Sequence, residues 1–192
     1  MDAKEVGREL LNRVCEYLIS LPFDAKILQE GVADLDLDRG GREHAAGVLI
    51  HVLSHHEGSG PERYLDDVFL VRAALQRLAP LGGDGAEAFH ARFPELYESL
   101  EGDVALFQQA LGEELWQRVL QRTESFSRLS LKGRRASQFV EDEEGLEMLY
   151  DEGLAFQTNY NLSETQVRNR LRRADQIVEH LQRRYAEGAV KR

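Results

Sequence analysis

The chain is predicted to be all-α, an irregular bundle of about seven or eight helices in one body or two lobes. Three observations predict this. Apolar residues recur at three- and four-residue spacing along almost the whole chain. Proline, glycine and capping residues interrupt that pattern at helix-length intervals. The one stretch with period-two alternation, Asp34-Leu35-Asp36-Leu37-Asp38, is short enough to be a turn.

The elements follow in order. Val6, Leu10, Leu11, Val14, Leu18 and Leu21 form one stripe, giving a helix over about 4–20. Pro22 is expected to interrupt it, with a second helix over about 24–33. After Arg39-Gly40-Gly41, a third helix is expected from about Arg42 to Glu57. Ser59 is placed to cap a fourth helix, with Glu62 closing a capping box and Pro61 in the first turn. That helix should reach about Leu78, where Pro80 and Gly82-Gly83 end it and mark a boundary between segments 1–81 and 82–192. Next comes a helix carrying Phe89, Phe93, Leu96, Tyr97 and Leu100, stopped by Gly102, with Asp103 capping the following one. That following helix holds Leu106 to Leu120, the pattern blurs over 123–137, and another helix covers about 138–157. Ser163 caps the last helix, with Gln166 completing a capping box.

Composition bounds the function. The 192 residues carry 24 basic and 34 acidic side chains, a net charge of −10, which argues against a dedicated nucleic-acid binder. The basic residues are 20 Arg and 4 Lys. No apolar run approaches the roughly 20 residues of a membrane span, and the first residues lack the apolar stretch of a signal peptide. A cytoplasmic location is therefore expected. Cys15 is the single cysteine, so no internal disulfide forms, and it shares a helical face with Leu11 and Leu18 as a core residue.

The segment Tyr64-Leu65-Asp66-Asp67 followed by Val68-Phe69-Leu70-Val71-Arg72-Ala73-Ala74-Leu75 resembles the YkvA-like (DUF1232) family of small helical bacterial proteins. Ala45 to Leu53 resembles that family's preceding apolar helix, and Ser54-His55-His56-Glu57 stands at its turn. The turn lacks the usual proline, Arg63 replaces the usual glycine, and the connecting loop is shorter. The resemblance covers about 42–78 and implies a helical fold without implying an activity.

Several constellations of side chains bear on chemistry. His44, His51 and His55 fall within about 40° on one helical face, opposite Ala45, Ala46, Leu49, Ile50 and Leu53, so they are expected to face solvent or a cleft. The i, i+4 pair His51/His55 can reach one metal ion, with a third ligand from Glu57, Asp66 or Asp67. A solvated polar face explains the same histidines without a metal. Asp66 and Asp67 sit in a helix first turn, where the dipole favours carboxylates, and their 100° separation is expected to point them apart. Asp34, Asp36 and Asp38 imitate a calcium loop but lack its glycine and its closing glutamate. No GxSxG, phosphate loop or HExxH is present.

The C-terminal region carries the clearest remaining pattern. Val167, Leu171, Ala174, Val178, Leu181 and Tyr185 form a heptad seam, and residues 163–192 are +4 against −14 for the rest. The seam either docks on the chain's own body or pairs with a second copy. Residues 161–171 also resemble the turn and recognition helix of a helix-turn-helix. The leading expectation is a non-catalytic cytoplasmic interaction or regulatory module, with no catalytic or cofactor-binding residues, whose protein partner or second copy meets the C-terminal helix. The alternative is a metal-binding protein, in its furthest form a hydrolase, holding a divalent ion such as zinc on His51, His55 and Asp67. The third is a DNA-binding regulator using the last helix.

Overall fold

The computed structural model describes residues 2–54 and 60–186. Ten α-helices and one two-residue hairpin make up that part of the chain, so the all-α expectation holds with more helices than seven or eight. The expected Ser59 cap lies outside the described residues, and the third helix, expected to reach Glu57, ends at Leu53 with Ser54 extended.

The first helix, α1 (Ala3–Ala33), corrects the expectation of a break at Pro22. Proline removes the hydrogen bond to the carbonyl of Leu18. The Tyr160 hydroxyl, from the other end of the chain, donates to that carbonyl instead. Asp2 caps the start by accepting from the Glu5 amide at 2.8 Å. Long-range packing thus sustains 31 residues of continuous helix.

Two further helices form the centre. α2 (Arg39–Leu53) leads to a 3-10 turn at Pro61–Tyr64 and then α3 (Leu65–Leu81). From Leu65 to Leu75 every residue of α3 is buried, which is the signature of a helix surrounded by others. Gly47 lets the chain come close to α2 at Phe126: a Cβ there would stand 2.8 Å from the Phe126 carbonyl oxygen.

Around this centre lie α4 (Gly85–Arg92), α5 (Pro94–Leu111) and α6 (Glu113–Ser125). The single helix expected over Phe89–Leu100 is two helices. Pro94 disfavours helical geometry at Phe93, which adopts φ −129° and ψ 55°, and then serves as the first residue of α5. Gly102 does not end α5. The buried stripe Leu100, Val104, Leu106 and Phe107 outweighs the roughly 1 kcal/mol that a helical glycine costs. Asp103 is accordingly no cap but a buried side chain inside the helix. The break falls instead at Gly112, whose φ of +80° is left-handed.

The blurred 123–137 region contains a 3-10 turn at Phe126–Arg128 and a hairpin pairing Ser130–Leu131 with Arg134–Arg135. Lys132 and Gly133 both have positive φ, as a tight hairpin turn requires. After α7 (Ala136–Phe139), Asp142 caps α8 (Glu143–Asn159) by accepting from the Gly145 amide. Ser163 and Gln166 form the expected capping box at the start of α9 (Glu164–Arg170). The expected single last helix is broken: Leu171 is extended, and the Gln176 side chain accepts from the amides of Arg172 and Arg173 to start α10 (Ala174–Ala186).

The seam nevertheless meets the chain's own body. α9 packs on α1 and α10 packs on α1 and α6, burying Val167, Leu171 and Leu181 of the seam; Ala174, Val178 and Tyr185 are half-buried, and Ile177, outside the expected seam, is buried in full. Arg184 reaches Asp66 at 3.4 Å, Arg170 pairs with Glu62, and Arg118 donates to the Tyr185 carbonyl at 3.2 Å. Segments 1–81 and 82–192 both contribute to one apolar cluster. Buried charges cross it: Arg72 pairs with Asp24 at 3.1 Å and lies over the Tyr17 ring, while the Tyr17 hydroxyl donates to Asp103. Among the described residues no helix is long and apolar enough to cross a membrane.

Candidate functional site

The histidine face is covered, contrary to the expectation that it opens to solvent. A helical wheel places residues on a common face but does not say what packs against it, and α3, α6 and the Phe126 turn all lie against α2. His44 is 8% exposed, and its Nε2 has no hydrogen-bond partner among the described residues. Burial, helped by the Arg77 charge, pushes its pKa down to about 4. His51 stacks on the Phe126 ring at 4.4 Å with its side chain 14% exposed. His55 lies outside the described residues.

The aspartates also differ from expectation. Instead of pointing apart, Asp66 and Asp67 bracket the His51 imidazole. His51 Nε2 is 3.5 Å from Asp67 Oδ1 and 4.0 Å from Asp66 Oδ2. Their 100° separation on α3 is what allows one ring from α2 to sit between them. Asp67 is wholly buried and Asp66 nearly so. The α10 residues Arg184 and His180 close the other side of Asp66; burial lowers the His180 pKa, and Asp66 opposes that shift. An imidazole between two carboxylates can share a proton or contribute ligands to a cation. Among the described residues, however, no three His, Cys, Asp or Glu side chains are grouped so as to hold a metal ion.

Asp34, Asp36 and Asp38 have structural work. Asp34 accepts from the Asp36 amide at 3.0 Å and pairs with Arg92, and the Asp38 amide donates to the Gly82 carbonyl at 2.9 Å.

A second feature was not singled out from sequence. α1 and α8 run antiparallel: Gly153 faces Gln29, while Tyr160 reaches back to Leu18. Lys26 and Tyr150 line one cleft of about 440 Å³ between the two helices, with Val32, Leu146 and Leu149 deeper in it. One turn further along each helix come Phe23 and Leu154, and Ile19 follows on α1. Phe23 is 60%, Tyr150 58%, Leu154 50% and Ile19 37% exposed. Large apolar side chains thus continue from the cleft along the outer side of the α1–α8 seam. Exposed Glu30, Glu143 and Glu147 line the same cleft. The available signal was the run of seven acidic residues from Glu141 to Glu152, together with apolar residues out of step with the core stripes.

No family model, curated protein or solved structure matches the chain.

Proposed function

We propose that the protein is a non-catalytic interaction module, built around a YkvA-like α2–α3 pair, that receives a partner on the outer α1–α8 groove. The observation that carries this reading is the exposure of Phe23, Tyr150 and Leu154 beside a cleft that Val32, Leu146 and Leu149 help to line. Contiguous exposed apolar surface is uncommon away from binding sites. This moves the interaction surface away from the C-terminal helix, whose apolar seam faces α1 and α6. A photo-crosslinking amino acid at Phe23 or Leu154 should give a discrete adduct in cells, abolished when Tyr150→Glu is added. The same probe at Arg168, on α9, should give none. No adduct at either groove position, or the same adduct from Arg168, would contradict the reading.

A second reading rests on the 3.5 Å approach of His51 to the buried Asp67. It holds that His51, Asp67 and His55 bind a divalent metal such as zinc, the arrangement of a hydrolytic centre. Metal analysis of untagged protein tests it. Stoichiometric metal lost in His51→Ala supports it, and metal-free protein refutes it.

A further inference from the structure

The groove's border indicates the chemistry of its occupant. We infer that the α1–α8 groove binds a basic amphipathic helix of another protein; this rests on the groove being a docking surface, as proposed above. Its lining offers Val32, Leu146 and Leu149 beside the amide of Gln29, and its exposed continuation is Phe23, Tyr150 and Leu154. A partner must therefore present an apolar stripe, and a groove between two antiparallel helices suits a third helix.

Charge then selects among such helices. Glu30, Glu143 and Glu147 border the groove, while Lys26 is its single basic lining residue. Glu141 to Glu152 contains seven acidic residues and no basic one. The ion pairs of Glu152 with Lys132 and of Asp142 and Glu144 with Arg134 engage the outlying acids of this run. A second copy of the chain placed face to face would bring together two faces that each carry Glu30, Glu143 and Glu147 against one Lys26, opposing like net charge across the contact. A partner helix with Lys or Arg flanking its apolar stripe meets the opposite sign, which favours both encounter and register.

The test uses the full chain and fluorescein-labelled 18-residue helical peptides read by anisotropy. One probe has a Leu stripe with Lys on its polar face. A second replaces Lys by Glu, a third replaces Lys by Gln, and a fourth scrambles the Leu/Lys order. The Leu/Lys helix should bind at least tenfold more tightly than the other three. Phe23→Ser with Leu154→Ser should weaken it at least tenfold while leaving the melting temperature unchanged. Glu30→Gln, Glu143→Gln and Glu147→Gln together should weaken it and remove most of its salt dependence. If the Leu/Gln helix binds equally well and the Phe23/Leu154 variant still abolishes binding, the charge inference fails and the docking surface survives. If the scrambled peptide binds as well as the ordered one, or the Phe23/Leu154 variant binds normally, both fail. Concentration-dependent self-association lost in that variant would overturn the basic partner in favour of a second copy.

Discussion

The hydroxyl of Tyr160 donates its hydrogen bond to the carbonyl oxygen of Leu18, the acceptor that Pro22 leaves without an amide donor. One side chain from beyond the end of α8 thereby completes the backbone of a helix 142 positions earlier in sequence. Tyr160→Phe should cost about 1–2 kcal/mol, because a partly buried carbonyl loses its donor. In a Pro22→Ala background the residue 22 amide supplies that bond, so Tyr160→Phe should cost clearly less. Equal costs in both backgrounds, measured by urea unfolding, would separate Tyr160 from the proline.

This pairing shows why sequence reading placed a helix end at Pro22. The local rule is sound, and the compensating donor is remote. The same holds for Gly102, where the buried residues on both sides carry α5 past a weak former. Periodicity made the helices legible, and the Ser163–Gln166 box was legible because all its atoms lie within four residues. The site was less so. His51 and Asp67 were visible as a pair, but the wheel of α2 gave no hint that Phe126 and α3 would cover the histidines. Phe23 and Leu154 were visible only as apolar residues out of step.

Arg72 and Asp24 form a buried pair, 2% and 3% exposed. Arg72→Met should destabilise by about 3–5 kcal/mol, since it leaves a buried carboxylate without its cation. Adding Asp24→Leu should restore much of that loss. A double variant as unstable as the sum of the singles would show that the two do not act as a pair.

His44 makes stability depend on pH. Its folded pKa of about 4 lies below the ordinary 6.5, so below about pH 6.5 the unfolded chain takes up a proton that the folded protein excludes. Stability should therefore fall as pH drops from about 6.5 to about 4, by up to about 3 kcal/mol from this residue, and level off below. His44→Gln should flatten that part of the profile. A variant with the wild-type slope would assign the dependence to other groups.

The C-terminal seam is buried on the chain itself at Val167, Leu171 and Leu181. Leu181→Ala should cost about 2–5 kcal/mol, and the melting temperature should not change with protein concentration. A melting temperature that rises with concentration would mean that a second copy covers the seam.

The central claim is that the outer α1–α8 groove is where a partner binds. The most direct measurement is an amide NMR titration of the labelled protein with the Leu/Lys helix. The account predicts saturable shifts concentrated in residues 19–33 and 143–157, with α9 and α10 unmoved. Shifts centred on α9 and α10, or none at saturating peptide, would contradict it.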